Sequence, residues 1–335
     1  MSGRSNTMSV RKSKGISYAK YGYIFCIPFV LAFLLFMLYP LGYTTVLGFT
    51  DFSGFEAVET GKFSFLDDPL ENFKALMDNQ LFKTSLGNTV KIWVINFIPQ
   101  ILLALLLTAW LTSRRNKIKG QGLFKVLFYM PNIITAGSIA ILFYALFMFP
   151  VGPINHLLVS LGLRSDPFPF TSTPLASQLI IAFIQFWMWY GYTMLILISG
   201  VLGLNPEMYE VSEIDGANAV KQFFFITLPN LRPIILYVLV TSTVGGLSMF
   251  DIPNLFNQGQ PDNSTYTVAY FIYRQAFAGR FMFNRAAAAS LIVFIIIAVL
   301  SVIMFMLLRD KDAAQLRKME KSLQRAKAKA NREVV

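Results

Sequence analysis

The sequence predicts an all-α integral membrane protein with about six transmembrane helices, and three observations carry that expectation. Hydrophobic residues fill 55% of the 335 positions and charged residues only 14%, against about 25% charged in an ordinary soluble domain. The apolar residues gather into runs of about 20 or more, the length an α-helix needs to cross a bilayer core. These runs lack the two-residue alternation of a membrane barrel, and a helix satisfies its own backbone groups inside lipid.

Taken in order, the runs are residues 21–43, 86–112, 123–149, 176–204, 233–256 and 287–308. The first is too long for a signal-peptide core, ends at Pro40 and has no small-x-small cleavage site, so it is expected to remain as the first span. Cys26 is the single cysteine, which excludes a disulfide within the chain and a multi-cysteine metal site.

Orientation follows from Lys and Arg in the short loops. The N-terminal segment carries Arg4, Arg11, Lys12, Lys14 and Lys20 with no acid, whereas the segment after the first span carries Lys62, Lys74 and Lys83 against seven acids. Arg114, Arg115, Lys117 and Lys119 follow the second span, and nine basic residues follow Leu308. Both termini are therefore expected to be cytoplasmic. The net charge of +11 then reflects topology and contact with anionic lipid rather than nucleic acid.

No linker divides the chain. The expected organisation is a basic cytoplasmic N-terminus (1–20), one transmembrane domain (21–308) and a basic cytoplasmic tail (309–335). Segment 51–85, with Phe63, Phe65, Asp67, Asp68 and Phe73, is expected to form a small outer cap. Segment 150–174, broken by Pro153, Pro167, Pro169 and Pro174, reads as an outer loop without helix. In the tail, Leu316, Met319 and Leu323 at helical spacing fit either a helix on the inner membrane surface or a frayed end.

The connection 205–230 departs from the positive-inside pattern: Glu207, Glu210, Glu213 and Asp215 face only Lys221 before Pro229. Acids next to Pro206 suit a helix N-terminus, and Gly216 suits the residue just past a helix end. A second short helix is expected over 219–227, presenting Phe223, Phe224 and Ile226, with Pro229 stopping it. Two short helices with an apolar face and an acidic rim fit a docking element for another protein.

The run from Glu210 to Gly216 six residues on, Ile226 after nine intervening residues, then Leu228-Pro229, resembles the EAA loop of ABC importer permeases. Asp215-Gly216-Ala217 extends the likeness; the family's two alanines are Val211 and Ser212 here. Asn72-Phe73, Asn88-Thr89, Met130-Pro131, Gly152 to Asn155, Phe250-Asp251, Gly259 to Pro261, Ser264-Thr265, Tyr273 and Phe277 are similar to the binding-protein-dependent sugar transport branch. The resemblance implies a type I ABC importer permease fold in a bacterial inner membrane. It implies as partners a second homologous permease subunit, a dimer of ATPase subunits docked on 205–230, and an extracytoplasmic sugar-binding protein. The sugar would be the solute carried, an oligosaccharide by the abundance of aromatics. The implied coupling residues are Glu210, Asp215, Gly216, Ala217, Phe223, Ile226, Leu228 and Pro229.

No Gly-x4-Gly-Lys-Ser/Thr run is present, so the chain itself has no P-loop for ATP. ATP and Mg are expected on the partner ATPase, no cofactor or metal on this chain, and no catalytic constellation. His156 alone makes no zinc site. Asp251 reads either as a coupling carboxylate or as a residue paired or capping a helix near the interface. A stand-alone secondary transporter or channel for a small polar solute, or a membrane enzyme or exporter-like scaffold, are the alternative readings.

Sugars are held by aromatic faces and a few polar groups. Ser242, Gly245, Gly246 and Met249 share one helical face at i, i+3, i+4 and i+7, and small residues at that spacing also serve helix packing. Trp187, Trp189, Tyr190 and Tyr192 fit either an interfacial aromatic belt or a solute path. Trp189, Tyr192, Ser242, Gly245, Gly246 and Met249 are the expected path residues.

Overall fold

The computed structural model describes residues 19–113, 118–279, 281–308, 319 and 322–324. Most of the N-terminal segment, Arg114, Arg115 and Lys117, and most of the tail, Leu316 included, lie outside the described residues.

The first apolar run forms α1 (Ala19–Phe33), a π turn at Leu34–Leu38, and α2 (Tyr39–Leu47). Together they make a membrane-length helix over Tyr21–Leu47 that buries little within this chain. Its one packed end is where Gly48 meets Ala288 and Leu291 at the start of the last helix.

Segment 51–85, expected to form a cap, is folded. It contains α3 (Gly54–Thr60) and α4 (Glu71–Asp78), with an isolated bridge pairing Thr50 and Phe65. Asn72 is buried, and its amide donates to the carbonyls of Gly48 (3.0 Å) and Thr50 (2.9 Å). The cap also holds an ion pair between Lys74 and Asp68 at 2.6 Å. The Lys74 hydrogen bond and the Leu70 N–H hold the Asp68 carboxyl below the usual carboxylate range.

Next come α5 (Gln80–Leu111), α6 (Gln121–Ile133), α7 (Ala136–Phe147), α8 (Pro153–Ser160) and α9 (Pro174–Leu202). The 32 residues of α5 extend roughly 48 Å at 1.5 Å per residue, longer than a bilayer core of about 30 Å. α5 and α9 lie side by side and run the same way. The Gln100 amide donates to Thr193 Oγ1 at 2.8 Å, and Gln178 approaches Asn88 near the helix starts.

The expected third span, 123–149, is not one helix. α6 and α7 meet at 85°, because Thr135 takes an extended conformation and caps α7, its Oγ1 accepting from the Ser138 N–H. Pro131 removes one backbone donor from the last turn of α6, which weakens continuation across that point. α6 crosses α9 so closely at Gly191 that an added Cβ would lie 2.0 Å from the Phe128 carbonyl oxygen.

Segment 150–174 is also not pure loop. Pro153 opens α8 at its first turn, where its missing donor costs nothing. Asn155 then ties α8 to the following loop, donating to the Phe168 carbonyl and accepting from the Phe168 N–H.

After α9 come α10 (Glu207–Ile214), α11 (Ala219–Gln222), α12 (Leu228–Asn230) and α13 (Arg232–Leu247). The chain then forms α14 (Asp251–Phe256), α15 (Val268–Phe277) and α16 (Phe283–Leu308). α13 runs against α5, with Trp93 Nε1 donating to Ser242 Oγ at 3.2 Å. The fifth span is broken: α13 ends at Leu247 and α14 starts at Asp251, so Met249 sits in the break rather than on a continuous helix.

By length and composition five helices can cross a membrane, or six when the bent α6–α7 pair counts as one span. At the end where α5 begins, side-chain amides and hydroxyls hold irregular backbone. Asn88 donates to Asn263 O (2.7 Å), Gln178 to Ser264 O (2.6 Å), and Thr89 Oγ1 accepts from the Val268 N–H (2.9 Å). Non-helical backbone at the end of an apolar bundle needs such partners, because each unsatisfied buried group costs about 1–3 kcal/mol. At the opposite end, Ala104, Leu107 and Leu111 pack with Met194, Leu197, Ile198 and Leu231, which leads directly into the 205–230 segment.

Candidate functional site

Segment 205–230 folds as a compact pair of short helices from local signals. Asn205 Oδ1 accepts from the Glu207 N–H and Pro206 precedes α10, whose first turn carries Glu207 and Glu210. The helix ends as expected at Gly216, with φ of +77°. Ala217 N–H donates to the Ser212 carbonyl and Gly216 N–H to the Glu213 carbonyl, the two bonds of a Schellman cap. Asn218 then caps α11 by accepting from the Lys221 N–H.

Pro229 does not stop the second helix. A π turn at Phe223–Thr227 links α11 to α12, and the Leu228 N–H reaches back to Phe223 O. The wider turn loosens the helix just where the proline lacks a donor, so helical backbone continues through Asn230 and resumes in α13.

The two helices are pinned together by buried hydrogen bonds. Tyr209 Oη and Thr227 Oγ1 lie 2.9 Å apart, Gln222 Nε2 donates to Ser212 Oγ at 3.0 Å, and Ser212 Oγ donates to Tyr209 O at 2.7 Å. Ser212, where the resembling family carries alanine, thus both accepts from Gln222 and donates to Tyr209 in this network, while Val211 beside it faces outward.

Of the residues expected at this element, Glu210, Asp215 and Gly216 are exposed, and Ala217, Phe223, Ile226, Leu228 and Pro229 are half-buried. Of the expected apolar residues Phe224 is exposed, while Phe223 and Ile226 are half-buried. Phe223 and Leu228 face a groove of about 680 Å³ against Leu106, Trp110 and Leu202. Ile214 (87% exposed), Phe225 (79%) and Val220 project outward as well, and Glu207, Glu210, Glu213 and Asp215 are also exposed. Phe225 lies within the π turn itself, with its side chain on the exposed side.

A second feature lies within the bundle. A cavity of about 410 Å³ opens between α5, α9, α13 and the start of α14, and Trp189, Tyr192, Ser242, Gly245, Gly246 and Met249 all line it. The aromatic residues of α9 divide between two faces. Trp189 and Tyr192 pack edge to face with centroids 5.6 Å apart beside the cavity, whereas Trp187 packs on Phe143 and Tyr190 on Phe128. Gly246 is required by close approach: an added Cβ would lie 2.0 Å from Trp93 Cδ1.

The cavity also contains residues that the sequence reading missed: Trp93, Asn96, Gln100, Gln185, Thr193 and Thr241. Amides at positions 96 and 100, one helical turn apart within an apolar span, were the available signal. Asp251 lines the cavity too, and no hydrogen bond or ion pair joins its side chain to another described residue. It stands in the first turn of α14, where no side-chain cap bond is formed. Among the described residues no group of three or more His, Cys, Asp or Glu side chains could hold a metal ion.

Comparison with known proteins bears on these features. Residues 80–311 match the family described as "Binding-protein-dependent transport system inner membrane component". The lactose transport system permease protein LacF of Rhizobium radiobacter is 31% identical over 295 residues, covering 87% of this chain and 94% of that protein. The arabinooligosaccharides transport system permease protein AraP of Bacillus subtilis is 31% identical over 283 residues, covering 84% and 86%. The fold is shared with a chain of a bacterial alginate ABC transporter in complex with alginate pentasaccharide-bound periplasmic protein. That match has a TM-score of 0.70 and 21% identity, and covers 88% of this chain and 96% of that one. The match across most of the membrane-spanning region and the two near-full-length relatives show that this chain belongs to the family of inner membrane components of binding-protein-dependent transport systems.

Proposed function

We propose that this chain is the membrane-spanning permease subunit of an ATP-driven importer that carries a saccharide into a bacterial cell. The observation that carries the reading is the cavity: Trp93, Trp189 and Tyr192 bring aromatic rings to its lining, and Asn96, Gln100, Thr193 and Ser242, each already held by a hydrogen bond within the chain, bring amides and hydroxyls. Apolar walls with a few placed polar groups suit a sugar ring, which has an apolar face and polar edges. Relatives whose names specify lactose and arabinooligosaccharides support a saccharide over other polar solutes.

The same helices explain coupling. α9 runs from the cavity into segment 205–230, and α13 leaves that segment and returns to the cavity. A partner that grips Val220, Phe225 and Ile214 and pulls on the pinned pair of helices moves both walls together, the rigid-body rocking by which such sites alternate their access. The partner would be a separate ATPase dimer holding ATP and Mg, with Glu210, Asp215, Gly216 and Ala217 at its dock. A second permease subunit would cover the α1–α2 span, an extracytoplasmic binding protein would deliver the saccharide, and both termini would face the cytoplasm. The alginate transporter complex with its periplasmic protein supports a delivery partner of that kind.

Co-purification of the tagged chain from membranes in mild detergent tests the reading. Recovery of a second permease and an ATPase, with the ATPase lost when Glu210 and Gly216 are replaced, is expected. Recovery of the chain alone would contradict it.

A further inference from the structure

We infer that the carboxylate of Asp251 sets the charge preference of the cavity, so that uncharged saccharides enter while those carrying a carboxylate or phosphate are turned away. The inference rests on the saccharide reading above and names the substrate class of that site more narrowly.

Three observations support it. Asp251 is the sole charged side chain among the cavity's described lining residues, which include no Lys, Arg or His. It is exposed rather than packed away, at the first residue of α14. No side-chain cap bond engages the start of that helix, and the one ion pair among the described residues, Lys74 with Asp68, lies in the cap segment. Among the described residues the carboxylate therefore has no side-chain partner.

Its surroundings sharpen the effect. Met188, Met249, Ile252 and Phe250 bring apolar walls to the same space, and a charge in a cleft with low-dielectric walls projects its field further than one in open water. A saccharide hydroxyl donates to such a carboxylate in a short, charge-assisted bond. A uronate or sugar phosphate offers a second negative charge and finds no guanidinium or ammonium in this chain's part of the cavity to offset it.

The test uses the detergent-purified transporter complex without its binding protein, so that the permease's own preference is read. Binding of neutral disaccharides, galactobiose and lactose among them, is compared by titration calorimetry with binding of matched uronates such as digalacturonate. Wild-type complex is expected to bind the best neutral sugar at least tenfold more tightly than its uronate, about 1.4 kcal/mol. Asp251→Asn is expected to bring the pair within about twofold, weakening the neutral sugar as its charge-assisted bond is lost and relieving the uronate of repulsion. Asp251→Glu, which keeps the charge, is expected to keep the preference. Equal binding of both classes by wild type, or an undiminished preference in Asp251→Asn, would overturn the inference and leave the saccharide reading standing. Failure of every saccharide to bind would overturn both.

Discussion

Gly216 should be required for its backbone angle and not for its small size, and the two requirements predict different orders of substitution. Its φ is +77°, yet a Cβ added there meets no atom within 4 Å, so side-chain volume is free. An L-residue in this left-handed conformation costs roughly 1–2 kcal/mol, less for Asn and more for a β-branched residue. If the pinned pair of helices must hold this turn to dock, that strain lowers the docking-competent fraction about 5- to 30-fold. The expected order of activity is Gly, then Asn, then Ala, then Val. ATP-driven uptake and ATPase retention on the purified complex, both at fixed expression, measure it. An order that follows side-chain volume, with Asn as harmful as Val, would refute the reasoning, as would full activity in Gly216→Val.

Three further outcomes follow from the geometry. Gly246→Ala forces its methyl against Trp93, an overpacking cost of about 1–3 kcal/mol that also disturbs the Trp93–Ser242 bond; uptake should fall severalfold while the complex still assembles. Asn72→Ala removes two donated bonds and the acceptor used by Asn284; with buried carbonyls left unpaired at about 1–3 kcal/mol each, thermal unfolding in detergent should shift down clearly. Tyr209→Phe deletes the hydroxyl facing Thr227, worth about 1 kcal/mol; uptake should weaken with little change in the unfolding midpoint, because the loss is confined to the docking element.

The parts of this account that were legible in the sequence are those set by near neighbours. Segment 205–230 announced its first helix and the cap at Gly216 because Pro206, the early acids and the glycine act within a few residues. Ser242, Gly245 and Gly246 could be placed on one face because helical spacing decides it, whereas Met249 reaches the same cavity from the break after α13. The bend at Thr135 was hidden, since hydropathy stays high across it while a single hydroxyl cap diverts the chain. α8 is hidden for the opposite reason: a proline reads as a breaker within a run, but at a first turn, as at Pro153, it starts a helix. The cavity's other wall was illegible because Trp93, Asn96 and Gln100 reach it from α5, about a hundred residues or more before their partners Thr193 and Ser242, and no periodicity within one helix reports such a meeting. Asn72, Asn88 and Asn155 stood out only by resemblance; the structure gives them a physical task, the pairing of irregular backbone.

The most direct test of the central claim is saccharide uptake into proteoliposomes that contain the purified complex and its binding protein, with and without ATP on the ATPase side. Uptake that requires ATP, and is lost in Gly216→Val while the complex stays intact, is the predicted result. Uptake by this chain alone without ATP would contradict the account.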